Sequence, residues 1–144
     1  MSSLSRRGSR GSVLMLMPAG ALIVLLLGAI AFDLSLVFLR QRQASSLAAD
    51  VANDLASVAL DVPTFRESGV FELDPIRADS LGRALLDASD LSDELTSATI
   101  TITGSDTVTV RVTVSVDYVF AKAIPGADDG TTVTANATAA ATPG

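Results

Sequence analysis

Residues 11–32 form 22 consecutive positions without a charged side chain. As a helix rising ~1.5 Å per residue, such a run reaches about 33 Å, enough to cross a bilayer core of ~30 Å. A membrane-spanning segment is therefore the first expectation. The chain has 144 residues, is 49% hydrophobic and has a mean hydropathy of +0.47, and that apolar excess is concentrated in this one run. Charge is just as uneven. Residues 1–42 carry five arginines (Arg6, Arg7, Arg10, Arg40 and Arg42) against Asp33, a net +4, and the remainder carries −10. Basic residues beside an apolar run are orientation signals, and the three arginines before it predict a cytoplasmic N-terminus. The acidic remainder lacks the clustered cations that bind phosphate, which speaks against a nucleic-acid partner.

Extended across Asp33, the apolar stretch runs from Ser12 to Leu39. A cleaved secretory signal is one reading, with Ala29-Ile30-Ala31 as the processing match, but the run exceeds the ~7–15 apolar residues usual in such signals. A twin-arginine export signal at Arg6-Arg7 is another, but Gly8 and Ser9 follow where a bulky apolar pair is usual. A retained anchor over 12–39, behind a basic tail at 1–11, accounts best for the length. Pro18 lies inside the span, where proline bends a helix but is tolerated. Asp33 has two readings: an acid reaching for the interface, or a pairing group for a neighbouring chain, since acids inside apolar spans are expensive.

The helical pattern continues beyond the membrane. Leu47, Val51, Leu55, Val58 and Val62 are spaced 4, 4, 3 and 4 apart, which is one face of a helix over 40–62. Alanines around them favour the helix, Asp50, Asp54 and Asp61 mark its wet side, and Pro63 is expected to end it. Residues 64–74 read as a loop. Asp74-Pro75 then starts a second helix to about residue 89, with Ile76, Leu81 and Leu85, beside Ala84 and Ala88, as its buried side.

Beyond residue 97 the period becomes two. Ala98 to Thr103 alternates apolar and hydroxyl side chains, and Gly104-Ser105-Asp106 makes a turn. Val108, Val110, Val112, Val114, Val116, Tyr118 and Phe120 then share one face of a long strand. After a loop at 121–130, a last strand from Thr131 buries Val133, Ala135, Ala137 and Ala139. The expected fold class is α+β and pilin-like: a long transmembrane helix continuing as an amphipathic spine, a short helix, and a small antiparallel sheet. The domain at 63–144 is near the size where a core is marginal without staples, so its sheet is expected to borrow the helix as a packing partner.

Little here carries chemistry. There is no cysteine and no histidine, so thiolate zinc sites, cysteine nucleophiles and Ser-His-Asp arrangements are excluded. Asp93-Glu94 and Asp128-Asp129 are adjacent in sequence and do not face one another as catalytic pairs do. Gly8–Ser12 lacks the Lys of a phosphate loop, and Asn136-Ala137-Thr138 matches a glycosylation sequon of the kind chance supplies in a Thr/Ala-rich strand. A non-enzymatic protein without cofactor or metal is expected.

Arg10-Gly11-Ser12-Val13 opening an apolar run, Phe32-Asp33-Leu34, Leu39-Arg40-Gln41-Arg42-Gln43-Ala44 and an Ala/Asp-rich helix come first. Val108 to Val114, Tyr118-Val119-Phe120, Ile124-Pro125-Gly126 and Thr132 to Ala139 follow in the same order as the end of a known chain type. Together they resemble the TadE/TadG-like proteins of Flp (tight adherence) pilus assembly. The resemblance implies a pseudopilin-like or membrane-anchored accessory subunit of a type IV pilus-type or related secretion system. It implies the bacterial inner membrane, an extracytoplasmic C-terminal domain, other pilus or secretion-system subunits as homo- or hetero-oligomeric partners, and a prepilin peptidase. By the same resemblance, cleavage would fall at Gly11–Ser12. Family members of the pseudopilin type carry a Glu five residues into the mature chain, where this one has Leu16, and that departure points to the TadG-like branch. The reading from another class is a soluble binding domain exported and released by cleavage after Ala31.

Overall fold

The computed structural model describes residues 9–58, 62–69 and 72–141, with side chains from Leu16 onward in the first stretch and from Phe65 onward in the second. Helix α1 (Ser9–Val58) is one continuous rod of 50 residues that passes through Pro18. It is followed by α2 (Val62–Ser68), α3 (Pro75–Asp87), and strands β1 (Leu95–Thr103), β2 (Thr107–Asp117) and β3 (Gly130–Ala140). The strands form an antiparallel sheet in the order β1-β2-β3. The class is α+β, as expected, and the sheet lies against the C-terminal half of the long helix.

Alternation in β2 decides the sheet's orientation. Val108, Val110, Val112, Val114 and Val116 are buried, joined by Val133 and Ala135 of β3 and, in part, by Ile100 and Ile102 of β1. The opposite face is wet and laced by cross-strand pairs: the Thr109 and Thr138 hydroxyls at 3.0 Å, Arg111 Nε donating to Asn136 Oδ1 at 2.7 Å, and the Thr113 and Thr134 hydroxyls at 3.1 Å. The turn at 104–106 forms where expected, with Gly104 at a left-handed φ of 72°.

The helix side of the seam departs from the periodicity reading. Its buried residues are Ala44, Ala48, Val51, Ala52, Leu55 and Ala56, while Leu47 is half-buried and Val58 is exposed. Alanine here is the contact surface rather than mere helix propensity, because a methyl group lets the backbone lie close to the valine face of the sheet. The Val62 side chain lies outside the described residues.

Two further expectations are corrected. Pro63 opens α2 rather than closing the spine onto a loop: its fixed φ suits a first helical turn. Gly69, at φ 70°, ends that helix by donating its N–H to the Phe65 carbonyl at 2.9 Å. In α3, Ile76, Ala84 and Ala88 are exposed, and Ala78, Gly82 and Leu86 are buried, with Leu81 and Leu85 partly so. The helix is rotated so that Gly82 faces Ile100 of β1 and Leu55 of α1, an approach so close that a Cβ there would require the Ile100 Cδ1 tip to move aside. Asp74 caps α3 as expected, accepting from the Ile76 and Arg77 amides at 2.9 and 3.2 Å. On the wet side of α3, Arg83 hydrogen-bonds Asp79 and holds its carboxyl below the ordinary range.

Ala48→Leu is expected to cost about 1–3 kcal/mol by overpacking the seam, whereas Ser45→Leu on the exposed side shifts stability by less than ~0.5 kcal/mol. Thermal melts of both variants check this. A fragment of residues 63–144 exposes the valine face and is expected to show no cooperative melt, whereas a fragment beginning at Asp33 folds.

Candidate functional site

Along α1 the domain-facing stripe is Asp33, Val37, Arg40, Ala44, Ala48, Val51 and Leu55, spaced 4, 3, 4, 4, 3 and 4. Asp33 is its first member and the only charged residue among the described ones that is buried, at 5% exposure. Below it, from Leu16 to Phe32, the helix is bare except for a half-covered Ala29.

Strand β2 ends at Asp117, so Tyr118 and Phe120 do not continue its buried face as expected. The chain instead turns at Tyr118, whose N–H donates to the Asp129 carbonyl at 2.9 Å, and coils through a single 3-10 turn at Ala121–Ala123. Leaving the ladder deprives the amides at 119–121 of strand partners. Asp33 supplies them. Its Oδ1 accepts from Val119 at 2.9 Å and Phe120 at 3.2 Å, and its Oδ2 from Phe120 at 3.2 Å and Ala121 at 2.9 Å. Successive amides in a turn form a concavity suited to an anion, and here the anion comes from the chain's own helix. The Phe32 and Phe120 rings meet edge to face beside it, 5.4 Å apart at 89°.

To the two readings of Asp33 from the sequence the structure adds a third: both carboxylate oxygens are occupied within the chain's own fold. Two turns higher, Arg40 Nη2 donates to Glu94 Oε1 at 2.6 Å, and Gln41 Nε2 reaches the Thr134 carbonyl at 3.1 Å. The aspartate and the arginine thus tie the rod to two segments beside the C-terminal end of β2, the loop that follows it and Glu94, whose carbonyl accepts from Ser115 Oγ.

The remaining sequence candidates do not gather. Leu16 and Pro18 are exposed on the bare part of α1, and Arg42 is exposed beside the domain. Gly11, Ser12 and Arg10 belong to α1 by backbone, with side chains outside the described residues; Arg6 and Arg7 lie outside them altogether. Missed by sequence reasoning were Glu94 and the amide-bearing loop at 119–121. The available signal was an acid in an apolar helix, which demands donors, and an apolar Val119-Phe120 where a strand needed to end.

Under this latch of Asp33 on the 119–121 amides, a groove of about 370 Å³ runs between the loop and the helix, lined by Leu22, Leu26 and Ile30 on one side and Phe120, Ala123 and Ile124 on the other. Comparison with protein-family profiles, curated proteins and solved structures finds no match to this chain.

Asp33→Ala is expected to accelerate amide exchange at Val119–Ala121 about 10–100-fold in micelles, as follows from ~1.5–3 kcal/mol per hydrogen bond to a charged group. Exchange in Val110–Val114 stays unchanged. Uniform acceleration across the domain would instead make Asp33 a global stabiliser with no special hold on the loop.

Proposed function

We propose that this chain is a single-pass, membrane-anchored structural subunit whose outer domain is carried rigidly on its own transmembrane helix, in the manner the resemblance to TadE/TadG-like pilus-assembly proteins implies. The observation that supports this most is the unbroken α1. The helix is long and apolar enough to cross a membrane, yet its apolar half is exposed in the folded chain. A core helix would be covered by its own protein, so this one needs an external apolar environment. Its outer half is the spine of the domain, and no flexible linker separates anchor from sheet.

A rigid connection suits assembly work. A tethered binding or catalytic domain profits from a loose linker that lets it search; a subunit holding a fixed place among neighbours profits from having none. On the side of α1 away from the sheet, Leu34 and Phe38 are exposed, Phe38 at 72%. That side is where the proposed packing against other pilus or secretion-system subunits, or a second copy, would occur. The orientation is N-terminus in, by the arginines before the run.

Since the chain has no cysteine, Phe38→Cys carries a unique crosslinking handle. In native membranes it is expected to yield a discrete adduct, either to a second copy or to one other subunit. Absence of any adduct at this position and at Leu34→Cys would count against the subunit reading. Intact mass of the membrane-extracted chain adds a second check: full length, or a start at Ser12, is compatible with the anchor, and a start at Phe32 would replace it with the released-domain alternative.

A further inference from the structure

Resting on the membrane-anchor reading, we propose that the loop Val119–Ile124 is itself inserted in the outer leaflet, with the groove between it and α1 filled by a lipid acyl chain.

The argument begins with relative height. The loop does not stop at Asp33; Ala123 and Ile124 share the groove with Leu22, Leu25 and Leu26, which belong to the charge-free run 11–32. Wherever a bilayer core of ~30 Å is placed on that run, residues flanking Leu22–Ile30 lie within it. The loop therefore enters lipid along with the helix.

The loop's chemistry agrees. Val119, Phe120 and Ile124 are exposed, Phe120 at 46% and Ile124 at 52%, on a domain whose outer sheet face is otherwise threonine-rich. On the helix, Phe32, whose ring meets Phe120, and Leu34 are exposed on either flank of Asp33, so apolar surface is not confined to the loop. Polar groups return as the chain climbs away: Gly126 reverses direction at φ 85°, and Asp128-Asp129 lead back to the Tyr118 amide. Lys122 has a stem long enough to carry its ammonium to the headgroups.

Lipid also imposes a requirement that five of the loop's six amides, all but that of Lys122, meet. Irregular backbone is not tolerated in hydrocarbon unless its amides are satisfied internally. The Val119, Phe120 and Ala121 amides donate to Asp33, and the Ala123 and Ile124 amides donate to the Phe120 and Ala121 carbonyls at 3.1 and 2.9 Å. Asp33 is correspondingly a charge that meets no lipid. A water-facing loop would have had solvent for all of these groups and no need of a buried carboxylate.

The test uses nitroxide labels on single cysteines in the full chain, reconstituted in phosphatidylcholine–phosphatidylglycerol vesicles, reading relative accessibility to oxygen and to a water-soluble nickel chelate. Ile124→Cys is compared with Leu25→Cys in the span and Thr138→Cys on the wet sheet face. The expected result is oxygen-favoured accessibility at 124 matching that at 25, and chelate-favoured accessibility at 138. Vesicles with brominated acyl chains should also quench a fluorophore at 124. Lipid protection at 25 with chelate access at 124 would overturn the loop proposal and leave the anchor standing. Chelate access at 25 would overturn both. Val119→Cys repeats the measurement should the label at 124 prevent folding; chelate access there counts equally against insertion.

Discussion

A carboxylate inside an apolar helix has to be answered by donors, and the arrangement where the apolar half of α1 meets the domain follows from how Asp33 is answered. Desolvating an ion costs several kcal/mol, whereas a hydrogen bond to a charged group returns ~1.5–3 kcal/mol net. With four such contacts from three amides, gain and cost are of the same order. The latch is thus better understood as a device of position than of stability. It gives the β2–β3 connection one place to sit, and it does so by pairing two groups of polar atoms that would each be intolerable alone.

Above the latch the forces are apolar. Five buried valines on β2, at about 1.5–3 kcal/mol each, represent on the order of 10 kcal/mol, comparable to the whole stability of an ordinary domain. Much of that face is covered by α1, with α3 closing the β1 side through Gly82. The helix is consequently part of the core and not an appendage to it. The alanines at 44, 48, 52 and 56 matter as much as the valines opposite, because their small size sets the distance between rod and sheet.

That β2 would be a long, one-sided strand was legible in its strict alternation, and that the sheet would need the helix was legible in the domain's small size. The Asp74-Pro75 start of α3 was equally plain, since capping chemistry is local. What misled was rotation about helix axes. Large apolar residues such as Ile76 and Val58 drew the eye to faces that turn out to be wet, while alanine and glycine, nearly silent in a hydropathy pattern, mark the contacts. The end of β2 was hidden for a related reason. Tyr118 and Phe120 keep the alternation going beyond Asp117, and only a partner 86 residues earlier, at Asp33, explains why the backbone leaves the ladder. Long-range polar pairing of this kind leaves a single trace in a sequence, an acid out of place.

The combination of a rod without a hinge and a latch at its waist has a mechanical consequence. A helix that tilts in the bilayer to match its thickness carries its sheet through the same angle, because Asp33, Arg40 and the alanine seam bind the two along more than 20 residues of α1. Under the proposed anchoring, motions of lipid or of neighbouring subunits would be transmitted to the sheet domain rather than absorbed in a linker. For a subunit of the proposed kind, holding one surface at one height and one angle to its neighbours, that stiffness would be an advantage. The cysteine-free and histidine-free composition, poor for chemistry, costs such a protein nothing.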